Sequence, residues 1–167
     1  VSSREMFEVQ KVGARYGRAT GAHTRYTLGT DTTENNGAQE LVANALALGA
    51  PAIVLHFNNP GWRLAHQMIT ALQEQGHNIW GEIYPYAAGS TPMNASFLEP
   101  ESWVDDLGHR YEDTMLDPET GEFFTLETYK ATVASEPTKP IVIFKMPEED
   151  QAKWLTLKGV TMASDAT

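Results

Sequence analysis

Apolar and polar residues alternate in blocks along this chain, and the blocks have two different periods. Met6, Phe7, Val9 and Val12 recur at helical spacing behind Ser2 and Glu5, which stand three apart as in a capping box. Gly17 is placed to stop that helix. Residues 19–26 then read as a strand, 29–36 as a polar loop, and 37–48 as a second helix closed by Gly49. The run 52–57 is apolar without interruption, the pattern of a parallel strand buried on both faces. Asn58-Asn59-Pro60-Gly61 is turn chemistry, 62–75 a third helix ending at Gly76, and 78–84 a third strand. Strands thus recur about every 30 residues with helices between them, which predicts βα units around a parallel sheet.

From 85 to 140 that rhythm is lost. The segment is irregular and rich in Pro, Glu and Thr, with a turn at 117–121 and a short helix at 126–135. Residues 141–146 read as an apolar strand, and Pro147 with Glu148, Glu149 and Asp150 opens a helix running to about 158. A last strand is expected at 160–164. A helix with no strand before it and a strand with no helix after it would leave sheet edges open. The pattern therefore predicts part of a larger barrel or sheet.

Charge sharpens the division. The 167 residues carry 22 acidic and 12 basic side chains, a formal net charge of −10. Between Glu99 and Asp150 stand 14 of the acids and 4 of the bases, and the remainder has 8 of each. The acidity belongs to the irregular segment, which is expected to be a solvated excursion at a barrel rim. This balance argues against nucleic acid or an anionic membrane surface as partner, since both need a basic footprint. The most apolar stretch, 41–55, is interrupted by Asn44, Gly49 and Pro51 and is too short to span a bilayer. With no cysteine, thiolate metal sites and disulfides are excluded, which suits a cytoplasmic location.

In parallel α/β folds ligands sit at the carboxyl ends of the strands. The polar residues there are His23 and Arg25, two apart and so on one side of the first strand, then His56 after the second. Glu82, Tyr84 and Tyr86 end the third strand, and Ser164-Asp165 ends the last. Two histidines and an aspartate from separate strand ends fit a hydrolytic metal site, because neutral imidazole binds zinc and a carboxylate shuttles a proton. The same residues also fit structural roles: a histidine at a strand end often only hydrogen-bonds, and Asp165 suits a helix N-cap. His66 and His77 read as surface residues, and His109 with Glu112 as a solvated helix face. No G-x-G-x-x-G, P-loop or G-x-S-x-G motif is present, and the acids lack EF-hand spacing.

Four segments resemble the N-acyl-D-amino-acid deacylases (D-aminoacylases) of the amidohydrolase superfamily. They are Ala22-His23-Thr24-Arg25, Val54-Leu55-His56, Glu82-Ile83-Tyr84-Pro85-Tyr86-Ala87-Ala88-Gly89-Ser90-Thr91, and Ser164-Asp165. They come in the family's order, and the Tyr-Pro-Tyr-x-Ala-Gly-Ser-Thr run is the most specific. The resemblance implies an α/β fold that is the C-terminal half of a (β/α)8 TIM-type barrel, about strands five to eight, with an acidic insertion after the third strand of the chain. On that reading 1–86 are βα units of the barrel, 87–140 the insertion and 141–167 the last βα units. Another chain or segment would complete the barrel, in an oligomer.

The resemblance further implies zinc, one or two ions, held in part by His23 on strand five and His56 on strand six. Asp165 would be the catalytic aspartate of strand eight, base toward a zinc-activated water and then acid toward the leaving amine. Tyr84 and Ser90 would line the substrate pocket, and Arg25 would meet a substrate carboxylate. The implied reaction is hydrolysis of a linear amide, an N-acyl-D-amino acid. Hydrolysis of a cyclic amide, as in hydantoinase-like or dihydroorotase-like relatives, and a non-catalytic scaffold subunit are the alternatives. Some positions depart from the family. Leu55-His56-Phe57-Asn58 replaces the usual Ser-His-His-Lys, Ala166 replaces the Gly of Ser-Asp-Gly, and the His-x-His of strand one is absent.

Overall fold

Ser2 and Glu5 form the expected capping box: the Ser2 hydroxyl accepts from the Glu5 amide, and the Glu5 carboxylate accepts from the Ser2 amide at 2.7 Å. The helix so started, α1, spans Ser3–Arg15. A computed structural model describes residues 2–24 and 36–164 of the chain. They divide into two units, residues 1–85 with 152–167, and residues 86–151.

In the first unit, β1 (Thr20–Ala22), β2 (Ala52–Val54), β3 (Ile79–Ile83) and β7 (Val160–Met162) form one sheet in the order β1-β2-β3-β7. Every neighbouring pair is parallel, with Val54 opposite both Ala22 and Gly81. The connections are α2 (Asn36–Leu48) between β1 and β2 and α3 (Trp62–Glu74) between β2 and β3. Parallel strands need such crossovers, and the buried Leu41, Val42 and Ala45 of α2, the buried Ala65 and Ile69 of α3, and Ala52, Val54, Ile79 and Ile83 of the sheet make the core. Trp62 and Trp154 meet edge to face in the same core, ring centres 6.5 Å apart. Helix α1 is tied to α2 by a buried polar residue. Gln10 donates to the Leu41 carbonyl at 2.9 Å and accepts from the Asn44 amide at 2.9 Å. Gly81 is needed for space, since a Cβ there would run into the Phe57 ring.

The second unit is more than a solvated excursion. β4 (Ala88–Pro92), β5 (Met115–Leu116) and β6 (Pro140–Phe144) form an antiparallel sheet in the order β4-β6-β5. One face, with Ile141, Ile143 and Met115, packs against Met93, Leu98, Trp103, Tyr111, Phe124 and Tyr129. These come from a 3-10 turn (Ser96–Leu98), a π-helical turn (Glu101–Asp106), α4 (Tyr111–Thr114), α5 (Leu126–Ser135) and their flanks. Thr125 caps α5 by a reciprocal exchange with Thr128. Lys139 bridges two carboxylates, Asp117 at 2.8 Å and Glu119 at 2.9 Å. Burial alone would raise the Asp117 carboxyl, but the Lys139 ammonium and the Glu119 amide outweigh it and hold the group below its ordinary value. The acidic segment thus carries its own hydrophobic core beneath its charge.

The apolar run at 141–146, read from sequence with the last βα units, pairs antiparallel with β4 and β5. Apolar character alone does not choose a strand's partners. The helix expected from Pro147 to about 158 is shorter, α6 (Glu149–Trp154). No helix among the described residues is long and apolar enough to cross a membrane.

Candidate functional site

The carboxyl ends of β1, β2 and β3 lie side by side, because the three strands pair in parallel register. Each sends an aromatic or heteroaromatic residue out of that end: His23 beyond β1, His56 beyond β2 and Tyr84 beyond β3. His23 and His56 face each other, Nδ1 of the first 2.8 Å from Nε2 of the second, with ring centres 4.5 Å apart. The Tyr84 ring stands edge-on to His56 at 6.3 Å and is buried. His23 is exposed and His56 buried, so the pair opens to solvent from one side.

The segment after β2 is shaped to do this. Sequence periodicity carries the strand to residue 57, but β2 ends at Val54 because the chain turns at His56, whose φ is +32°. A histidine in the left-handed region costs roughly 1–3 kcal/mol and is held there only by its surroundings. Those surroundings are specific. The Phe57 amide donates to the Glu82 carbonyl at 3.0 Å, which returns the chain to β3 after the turn. Asn58, fully buried, donates to the Tyr84 carbonyl at 2.7 Å and accepts from the Tyr84 amide at 3.2 Å, as a neighbouring strand would. Asn59 donates its side-chain amide to the His56 carbonyl at 2.6 Å. Its Oδ1 is buried without a hydrogen-bond partner among the described residues. Sequence alone marks Asn58-Asn59 as turn residues. Two adjacent amides directly after a strand-end histidine were the available signal.

Other expected site residues fall elsewhere. Arg25 and Asp165 lie outside the described residues. Ser90 lies on β4 in the second unit and is exposed. His66 donates its Nε2 proton to the Lys158 carbonyl at 3.1 Å and stacks on Phe57. His109 is not on a solvated face. Its ring packs on Trp103 at 4.6 Å, its Nε2 is buried without a partner among the described residues, and burial pushes its pKa down.

Two imidazole nitrogens converging on one point are donors suited to zinc. With Zn–N bonds of about 2.0–2.1 Å in tetrahedral geometry, two such nitrogens stand roughly 3.3 Å apart. The observed 2.8 Å lies within about half an ångström of that spacing, so His23 and His56 fit as two ligands. Among the described residues no group of three or more His, Asp or Glu is arranged to hold a metal ion. A third donor would have to come from elsewhere.

No protein-family model matches the chain, and no curated protein sequence matches it. Solved structures do. Over 99% of its length the chain matches N-acyl-D-glutamate deacylase from Bordetella bronchiseptica, in complex with zinc and a phosphonate that mimics the tetrahedral intermediate, with a TM-score of 0.73 at 18% identity. Over 98% it matches a D-aminoacylase described as defining a subset of amidohydrolases, at 0.70 and 20% identity. A further D-aminoacylase structure, concerned with activation by one metal and attenuation by a second, gives 0.67 at 19% identity. The chain has their fold. It spans only 36% of the first of those chains and 35% of the other two. Parallel sheet and helices together are consistent with a fragment of the amidohydrolase TIM barrel. The structures it matches in fold are of the enzymes its sequence motifs resemble.

Proposed function

We propose that this chain is the segment of a metal-dependent amidohydrolase carrying about strands five to eight of the barrel, with the second unit, residues 86–151, as an insertion, and that the complete enzyme removes the acyl group from an N-acyl-D-amino acid. The observation that carries this reading is the His23–His56 pair, two imidazole nitrogens 2.8 Å apart across the ends of adjacent parallel strands. The deacylase motifs around both histidines support it. So does the spacing, which suits two ligands of one ion.

His23 Nδ1 and His56 Nε2 would hold zinc, with the remaining ligands supplied by the rest of the barrel. When bound, zinc polarises the amide carbonyl and makes a water nucleophilic near neutral pH. The protein's own part begins with Asp165, which accepts a proton from the attacking water. It then donates that proton to the nitrogen of the leaving amine as the C–N bond breaks, giving a carboxylate and a free amino acid. Arg25 pairs with the substrate carboxylate, and the locally positive site offsets the acidic count of the chain. Tyr84, beside His56, contributes to the substrate pocket.

The test is release of amino acid from N-acyl-D-amino acids by the chain together with the polypeptide that completes its barrel. Asp165→Asn is expected to lose activity by orders of magnitude while still binding zinc. Wild-type turnover in Asp165→Asn would overturn the mechanism.

A further inference from the structure

Asn59 is held from three sides in the turn that follows β2. Its amide N–H donates to the Phe57 carbonyl at 2.8 Å, its carbonyl accepts from the Trp62 amide at 2.9 Å, and it is buried. With its backbone fixed, its side chain has one observed hydrogen-bond contact, the 2.6 Å bond to the His56 carbonyl. A carbonyl only accepts, so the atom facing it is the NH2 group, and the amide's orientation follows. This leaves Oδ1 buried without a partner among the described residues, a cost taken for the sake of that one donated bond. The bond falls on the residue whose backbone is left-handed, and whose Nε2 meets His23.

We propose that Asn59 is a positioning residue: by donating to the His56 carbonyl it holds His56 in its left-handed conformation and so keeps Nε2 turned toward Nδ1 of His23. Asn58 performs a different task, since both of its bonds go to the Tyr84 backbone and neither to His56. The two neighbouring amides therefore separate cleanly by mutation. Where the family pattern has a lysine at position 58, this chain has the first of two asparagines, and the second secures the histidine. The consequence for metal affinity rests on the metal reading above; the consequence for the histidine pair does not.

The experiment uses the full chain labelled with 15N-histidine and assembled with the polypeptide completing its barrel, following the imidazole nitrogens of His23 and His56 by NMR, with zinc titrations in parallel. In the zinc-free wild type, the 2.8 Å contact between His23 Nδ1 and His56 Nε2 makes one nitrogen the donor and the other the acceptor, so both signals are expected to depart from those of a free imidazole. Asn59→Ala and Asn59→Asp, the latter of the same shape without the donor, are expected to abolish that signature and weaken zinc binding about 10–100-fold. Asn59→Ser, which keeps a donor, is expected to restore part of both. If Asn59→Ala fails to fold, the Asp and Ser variants decide the question alone. Unchanged ring signals in Asn59→Asp would overturn the proposal. So would an equal loss in Asn58→Ala, which loosens the same turn but leaves the His56 carbonyl bonded. If the wild type binds no zinc yet the ring signals respond as described, the metal reading fails and the positioning role stands.

Discussion

Gly81 sits in the middle of β3 between Val54 of β2 and Val160 of β7, and an added Cβ there would overlap the Phe57 ring and press on Ile69. Phe57 follows His56 directly, so this contact joins the sheet to the site. Gly81→Ala has two opposing effects. Stiffening the unfolded chain stabilises by about 0.4–1 kcal/mol, while overpacking a filled core costs about 1–3 kcal/mol. The clash is with a buried ring and not with the end of a flexible chain, so the cost wins and the net loss is about 1–2 kcal/mol. For a unit of about 100 residues each kcal/mol lowers Tm by roughly 4–8 °C. Thermal unfolding followed by circular dichroism reads this directly. Phe57→Leu should be less harmful in the Gly81→Ala background than alone, because the smaller side chain vacates the space the new methyl needs. A Gly81→Ala protein that melts at or above the wild-type temperature would refute the packing argument, as would strict additivity of the two changes.

Other outcomes follow from single contacts. Gln10→Ala strips the Leu41 carbonyl and the Asn44 amide of their buried partner, with an expected loss of about 1–3 kcal/mol in urea unfolding. Asp117 has its folded-state pKa lowered, so its stabilising effect is present above about pH 4 and is lost as pH falls through the folded value. Asp117→Asn should therefore flatten the acid side of a stability–pH curve, and an unchanged curve would count against the Lys139 pairing. His109 is a base whose folded pKa is lowered by burial, so stability should fall as pH drops below about 6.5. His109→Phe should remove that dependence while keeping the ring contact with Trp103.

Much of the first unit was legible in sequence. The capping box, the glycine stops and the unbroken apolar run at 52–57 gave helices and strands in the right order, because a parallel βα layer writes its burial directly into periodicity. His23 and His56 were legible as strand-end residues for the same reason. The early turn at His56 is not written in the apolar period, which runs on to residue 57; its only local signal is the Asn58-Asn59 pair, whose side chains bond Tyr84 and His56. The core of the second unit is hidden from sequence periodicity for another reason. Its core residues Trp103, Tyr111, Phe124 and Tyr129 are scattered among acids at no fixed period, so high charge hid a filled interior. His109 shows the same error on a small scale, with an i, i+3 acid nearby but a ring turned onto Trp103.

The central claim is that His23 and His56 are ligands of one metal ion. It is tested most directly by the zinc-binding isotherm of the chain assembled with the polypeptide completing its barrel, compared with those of His23→Ala and His56→Ala. Loss of an outer-shell partner costs about 10–100-fold in metal affinity, so loss of either ligand should cost more than about 100-fold, equally from both sides of the pair. Zinc bound as tightly by His23→Ala or His56→Ala as by the wild type would contradict the account.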